Sequence, residues 1–234
     1  AHPPRLIVLR WKGGKKGDAP IALVGKGVCF DTGGYNIKTG PGLKVMRSDM
    51  AGAAAVCAVV LALAENKVPI NVTAVIPAVE NRISPESMVP GDVVRSMSGK
   101  TIQINNTDAE GRLILADAIT YAIQEEKAGR VVDIATLTGA CANTLGHLTA
   151  GLVSNSDELC GQLLSSAQKT GEQYWRFPTF PEYKKMIESP VADLSNQSND
   201  GCGAITAGMF LMEFAGDTPW VHVDIAGTAW TDQA

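Results

Sequence analysis

The sequence has 234 residues, of which 45% are hydrophobic and 19% are charged, and its formal net charge at pH 7 is −4. A chain of this size and composition can bury a substantial core, whereas its slightly acidic balance lacks the basic footprint of nucleic-acid-binding domains. We therefore expect an ordered α/β protein with no nucleic-acid partner.

Apolar segments along the chain alternate between lengths typical of strands and lengths typical of helices. The predicted strands are 5–11, 21–30, 70–79, 93–94, 101–104, 131–135 and 220–225, and the predicted helices are about 49–66, 111–126, 158–170 and 204–214. This alternation predicts a three-layer α/β/α fold with a mostly parallel central sheet, formed by residues 1–234 as a single domain.

The helix predicted near 49–66 is apolar on all sides, which favours complete burial. Its longest apolar run, Ala51 to Ala64, is shorter than the ~20 residues of a membrane-spanning helix, so we predict no membrane partner. Five scattered cysteines without a C-x-x-C pair indicate a reducing compartment, which we take to be the cytoplasm.

Active sites in such sheets lie at the carboxyl ends of the strands, here the segments after Val24, Ile104 and Ile134. In the first segment, Lys26 interrupts an apolar strand, where a charge is costly unless it is paired or lost. Later in the same segment, Asp31 precedes Gly33 and Gly34. Each has an ordinary alternative: the lysine could reach solvent at the strand end, and the aspartate could form a turn.

Two further acidic positions also have structural alternatives. Asp49 opens a predicted helix and could be its N-cap. Thr107 and Glu110 fit a capping box, but that device requires neither Asp108 nor Arg112. Asp108 and Glu110 would lie on one side of an extended chain and could hold a cation together.

Together these segments supply four carboxylates, from Asp31, Asp49, Asp108 and Glu110. Carboxylates that converge in a buried cleft repel one another and take up protons unless cations hold them. Two divalent metals would remove this conflict, and oxygen-rich ligands suit magnesium, manganese or zinc. The three histidines are too far apart for an H-E-x-x-H zinc site, and neither a G-x-S-x-G motif nor a nucleotide-binding fingerprint is present.

The sequence resembles the leucyl aminopeptidase (cytosol aminopeptidase) family. The string from Asn106 to Leu113 matches that family's signature, and the segment from Val24 to Gly34 matches its first metal-binding segment, with Lys38 and Asp49 at the expected spacings. Two more matches are the segments 135–140 and 224–228. The resemblance covers essentially the whole chain, although Thr39 stands where the family often has proline.

The resemblance implies a role for each matching residue. Lys38 would polarise the scissile carbonyl, and Arg112 would hold a bicarbonate ion that acts as general base. Lys26 would bind a metal as a neutral amine. The implied metal ligands are Lys26, Asp31, Asp49, Asp108 and Glu110, with Asp31 and Glu110 bridging two ions, and the implied substrate pocket comprises Met46, Asn106, Thr136, Gly139, Ala226 and Ala229.

The implied activity is removal of leucine-like residues from the amino ends of peptides, with a water held between two divalent metals as nucleophile. Zinc and manganese are the expected metals, with magnesium or cobalt as alternatives, and the implied assembly is a homohexamer. The family's N-terminal domain and C-terminal tail are expected to be missing from this chain. The alternatives are a DNA-binding accessory protein, an inactive relative kept for assembly, a peptidase preferring Cys-Gly dipeptides, and another metal hydrolase.

Overall fold

The computed structural model describes residues 2–198 and 200–230. Its strands are β1 (Arg5–Lys12), β2 (Ile21–Gly25), β3 (Gly27–Asp31), β4 (Asn71–Asn81), β5 (Val93–Arg95), β6 (Thr101–Gln103), β7 (Arg130–Ala135), β8 (Thr149–Ser154), β9 (Gln173–Arg176), β10 (Leu194–Ser195) and β11 (Trp220–Asp224). Its helices are α1 (Gly42–Val45), α2 (Ala51–Glu65), α3 (Glu110–Gln124), α4 (Gly139–Leu145), α5 (Asp157–Thr170), α6 (Glu182–Lys185) and α7 (Gly203–Ala215), and a short 3-10 turn spans Met46–Ser48.

Eight strands form the main sheet in the order β1-β4-β2-β7-β11-β8-β9, and β3 also pairs with β4. The sheet is mixed: β1 runs antiparallel to β4 and β8 runs antiparallel to β11, whereas the other pairs are parallel. A smaller sheet has the order β10-β6-β5. The predicted α/β fold with a mostly parallel sheet is confirmed, with antiparallel pairs towards both ends.

Helices cover both faces of the main sheet because successive side chains of its strands point to opposite sides. On one face, Val24, Val75 and Val131 belong to the core that includes α3 and α7. On the other face, the neighbouring positions Val72 and Ala74 pack with α2, and Val221 packs with α5. The three-layer prediction is therefore confirmed.

The prediction that α2 is buried on all sides is wrong. Val56 and Val60 face the sheet and are buried, but Val59 is 41% and Leu61 59% exposed on the opposite side. The helix packs on one face of the sheet, and no other described layer covers its outer side. Its outer side is therefore exposed although its sequence is apolar. By length and composition alone, the longer helical stretch Gly42–Glu65, which contains an 18-residue window with a mean hydropathy of 1.6, could cross a membrane.

The predicted strand 21–30 is two strands separated at Lys26. The register pairs Val24 with Val75 and Gly27 with Ala78, which places Lys26 opposite Pro77. Proline has no amide hydrogen, so it cannot donate a ladder bond at this position. The Lys26 carbonyl instead accepts from Ala53 N at 3.0 Å, while the Lys26 amide donates to Ile134 O of β7 at 3.1 Å.

The sequence prediction missed several short elements. The missed strands are β8, β9 and β10, and the missed helical segments are α1, the 3-10 turn, α4 and α6. Each is eight residues or shorter, so its hydrophobic period is too brief to recognise. The other predicted strands and helices are present with boundaries shifted by a few residues.

Close approach between α2 and the sheet makes Gly52 the first stability test. A Cβ atom on Gly52 would lie 2.0 Å from Ile134 O, whereas a Cβ atom on Gly161 in α5 would meet nothing within 4 Å. We expect Gly52→Ala to lower the free energy of unfolding by about 2 kcal/mol or more through overpacking. Gly161→Ala should raise it by about 0.5–1 kcal/mol through helix propensity. Urea unfolding of both variants measures these changes. Equal changes in the free energy of unfolding would contradict the close packing of α2 at Gly52.

Candidate active site

The predicted charged residues meet at one edge of the main sheet. Lys26 lies between β2 and β3, Asp31 ends β3, and Asp49 precedes α2, while Asp108 and Glu110 lie at the start of α3. Four of the five are at most 5% exposed, and the Asp108 side chain is 30% exposed. Three segments that are far apart in sequence therefore bring their charges together in the interior.

Carboxylate oxygens form the centre of this cluster. One oxygen each of Asp31, Asp108 and Glu110 lie within 4.8 Å of one another, a grouping that could hold a metal ion. Asp49 joins the group through Lys26, whose Nζ lies 2.8 Å from Asp49 Oδ1 and 3.0 Å from Glu110 Oε1. The cluster thus contains all four carboxylates that the sequence singled out.

The Lys26 side chain reaches this cluster past Gly111. A Cβ atom at Gly111 would lie 2.6 Å from Lys26 Cε, so only glycine leaves room for the lysine here. Burial lowers the pKa of Lys26, but the charges of Glu110 and Asp49 outweigh it, and the pKa is raised. The protein groups alone therefore favour the ammonium form, and the neutral amine expected from the resemblance requires the added field of cations.

Lys38 lies on the opposite side of the carboxylates. Its Nζ is 3.0 Å from Asp31 Oδ2 and 2.5 Å from Asp108 Oδ1. Burial lowers its pKa, but the hydrogen bond and charge of Asp108 and the charge of Asp31 raise it overall. Lys38 therefore carries a positive charge next to the cluster at neutral pH.

The structure removes the capping alternatives for Asp49 and Thr107. The N-cap of α2 is Met50 and that of α3 is Ala109, and neither cap makes a side-chain hydrogen bond. Asp49 Oδ1 instead accepts from Lys26 Nζ and Thr136 Oγ1. The Thr107 hydroxyl donates to Gly33 O at 2.7 Å, which ties the glycine-rich loop to the start of α3.

The geometry assumed for Asp108 and Glu110 was wrong in one respect. They do not lie on an extended chain, because residues 107–108 form a turn and Glu110 is the first residue of α3. Their carboxylates converge because the turn reverses the chain directly before the helix. The predicted convergence is therefore found, but with a different local cause.

One buried carboxylate oxygen fits the presence of cations. Asp49 Oδ2 has no hydrogen-bond partner among the described residues, whereas Asp108 Oδ1 and Glu110 Oε1 are paired with the ammonium groups of Lys38 and Lys26. Burial raises the pKa of Glu110 to about 7, with further contributions from the charges of Asp31 and Asp49. Oxygen ligands directed inward with unused lone pairs suit divalent cations.

Arg112 lies two residues after Glu110 in the first turn of α3. It is 8% exposed, and its Nε has no hydrogen-bond partner among the described residues. Burial lowers its pKa to about 10, so it remains positively charged at pH 7. A buried guanidinium group at the cavity wall is suited to binding an anion.

A cavity of about 540 Å³ opens over the carboxylate cluster, a volume typical of sites for small ligands. Five of the six predicted pocket residues line it: Met46, Asn106, Thr136, Gly139 and Ala226. Ala229 is not among the described residues that line the cavity, and its amide donates to Ile225 O at 2.9 Å. The cavity wall also includes residues that the sequence did not identify, among them His147, Gln197, Ser198 and Trp230.

Two buried side chains fix the loops that form this wall. Asp224 accepts from the Thr138 hydroxyl at 2.6 Å and from the amide of Leu137 at 3.2 Å. Asn196 accepts from the amides of Asn105 and Asn106 and donates to Asn106 O. These bonds position the segments that carry Thr136 and Asn106.

Asn81 was the principal omission of the sequence prediction. It ends β4 at the same sheet edge, and its Nδ2 lies 2.8 Å from Asp31 Oδ1 and 3.3 Å from Glu110 Oε2. The rule that directed attention to the carboxyl ends of strands applies equally to strand 70–79. Applied there, it would have identified this residue.

The family model for the catalytic domain of the cytosol aminopeptidase family matches residues 1–234. The chain belongs to this family. Relatives described as probable cytosol aminopeptidases include proteins of Alkaliphilus oremlandii (strain OhILAs), 51% identical over 97% of this chain, and Pseudomonas fluorescens (strain Pf0-1), 50% identical over 99% of it. The match covers 46% of each relative, so the chain spans about half the length of these family members.

A solved structure described as the bottromycin maturation enzyme BotP is similar over the whole chain. The TM-score is 0.92 with 38% sequence identity, and the match covers 50% of that structure's chain. This similarity agrees with the family assignment and with the fold described above.

The buried charge of Glu110 generates a pH-dependent prediction for the metal-free protein. Because its folded pKa of about 7 exceeds the ordinary 4.5, the free energy of unfolding should fall as pH rises through this window. Glu110→Gln should remove this fall. At pH 8 its free energy of unfolding should exceed that of the parent by about 3 kcal/mol. Urea unfolding between pH 5 and 8, with a chelator present, measures this difference. If the free energies of unfolding of parent and variant changed in parallel with pH, Glu110 would not be the group that titrates.

Proposed function

We propose that this chain is the catalytic part of a two-metal aminopeptidase that hydrolyses the first peptide bond of peptides with leucine-like N-terminal residues. One observation carries the proposal: a buried cluster of four carboxylates, in which Asp49 Oδ2 has no partner among the described residues, opens into a cavity in a member of the cytosol aminopeptidase family.

The proposed metal ligands are Lys26, Asp31, Asp49, Asp108 and Glu110. Their oxygen-rich set with one nitrogen suits zinc or manganese, with magnesium or cobalt as alternatives. When bound, such ions supply Lewis acidity and lower the pKa of a water molecule into the neutral range. The chain's own contribution is to hold the five side chains together in one largely buried cluster.

Lys38 is proposed to stabilise negative charge that develops on the substrate's carbonyl oxygen. Its raised pKa keeps it protonated, and its partially exposed position at the cavity wall makes it accessible to a peptide. A preorganised cation next to a developing oxyanion is a large contribution to catalysis in acyl transfer.

Arg112 is proposed to bind an anion and not to act as a base itself, since its pKa of about 10 leaves it protonated at neutral pH. Bicarbonate fits this role, because it would add a proton acceptor at the cavity wall. An anion held at this position could accept a proton from the attacking water while Arg112 stays charged.

Substrate selection is proposed to rest on the cavity wall. Met46, Gly139 and Ala226 offer apolar surface and small side chains that accommodate a branched aliphatic group. One methylene more or less in such a pocket changes discrimination by only ~1–3 kcal/mol, so we expect a leucine preference with broad tolerance. A homohexameric assembly and a cytoplasmic location are proposed on the family resemblance.

Hydrolysis of a leucine anilide tests the proposal. The metal-stripped protein should be inactive and should recover activity with manganese or zinc, whereas Glu110→Gln should not. Lys38→Met should lower kcat by ~10²–10³-fold because an oxyanion-stabilising cation is lost. Lys44→Met, an exposed lysine on α1, is the matched control and should match the parent. A metal-loaded parent that is inert towards a panel of aminoacyl anilides and dipeptides would contradict the proposal.

A further inference from the structure

Asn81 contacts both carboxylates that are expected to bridge the metals. Its Nδ2 lies 2.8 Å from Asp31 Oδ1, 3.0 Å from Thr107 O and 3.3 Å from Glu110 Oε2. Its backbone carbonyl accepts from both the amide and the hydroxyl of Thr32, each at 2.9 Å. The side chain and backbone of Asn81 therefore hold the end of β3 and the start of α3 at a fixed separation.

The Asn81 amide determines which oxygen of each carboxylate faces the neighbouring lysine and which accepts its own hydrogen bond. Asp31 Oδ1 accepts from Asn81 and from Gly33 N, which leaves Oδ2 on the side facing Lys38. Glu110 Oε2 accepts from Asn81, and Oε1 faces Lys26. A neutral donor can constrain both carboxylates in this way without adding another negative charge to the cluster.

Asn81 is not among the described residues that line the cavity. Any effect on catalysis therefore has to pass through the carboxylates and not through contact with a peptide. Partners that hydrogen-bond to metal ligands orient those ligands, and their loss typically weakens metal affinity by 10–100-fold.

We propose that Asn81 is a positioning residue that sets the metal affinity of the site by orienting Asp31 and Glu110 with a single amide group. The inference rests on the proposed function, since it assumes that the cluster binds divalent cations. It adds a residue from β4, a strand that contributes none of the proposed ligands.

The same strand offers a matched control. Asn71 begins β4, and its Nδ2 donates to Lys15 O at 2.8 Å and Asp18 O at 3.1 Å, while its Oδ1 accepts from Gly14 N at 3.0 Å. Asn71→Leu therefore removes a comparable set of structural bonds at the strand end away from the carboxylates. Asn81→Leu removes the donor without adding charge, and Asn81→Asp replaces it with a carboxylate of the same shape.

The test is calorimetric titration of manganese into the metal-stripped protein, with the visible absorption spectrum of the cobalt-loaded protein as a second readout of ligand geometry. We expect both Asn81 variants to bind manganese 10–100-fold more weakly than the parent and to show an altered cobalt spectrum. Asn71→Leu should match the parent in both measurements even if urea unfolding shows that it is destabilised.

Four outcomes would overturn the inference. Parent-like manganese affinity in both Asn81 variants would show that the amide does not set the affinity of the site. Equally weakened affinity in Asn71→Leu would show that the Asn81 substitutions act through general loss of stability. Tighter binding by Asn81→Asp would show that charge and not donation matters at this position. A parent that binds no metal would instead refute the proposed metal centre, and this inference with it.

Discussion

The concentration of negative charge at one edge of the sheet is the constraint on which the rest of the site depends. Asp31, Asp49 and Glu110 are nearly inaccessible to solvent, and Asp108 adds a fourth carboxylate within 4.8 Å of two of them. Like charges at such distances take up protons or require cations. Burial raises the pKa of Glu110 to about 7, and the charges of Asp31 and Asp49 add to this shift. Two lysines, Lys26 and Lys38, offset part of this charge, but four carboxylates exceed two ammonium groups, and Asp49 Oδ2 has no partner among the described residues. The proposed metal centre follows from that excess.

The fold accommodates the cluster through local interruptions of regular structure. The strand is interrupted at Lys26, opposite Pro77, which has no amide hydrogen to donate, and the lysine side chain reaches the carboxylates. Gly52 lets α2 approach the sheet, and Gly111 leaves room for the lysine side chain. The positions that create the site therefore tolerate few other residues.

The order of strands and long helices and the identity of the charged cluster could be predicted from sequence, because apolar periodicity and acidic residues after strands are local signals. The break at Lys26 could not, since no local signal separates β2 from β3 within the run 21–30. The exposed side of α2 was missed because an apolar helix does not reveal how many layers cover it. Asn81 was missed because an asparagine after a strand looks like a turn residue until its amide is seen between Asp31 and Glu110.

Anomalous X-ray diffraction from crystals soaked in zinc tests the central claim most directly. The account predicts two strong peaks inside the cluster, bordered by Asp31, Asp49, Asp108 and Glu110, with the Lys38 ammonium displaced from Asp31. Crystals of active protein that show no peak at this edge of the sheet, with Lys26 and Lys38 still paired to the carboxylates, would contradict it.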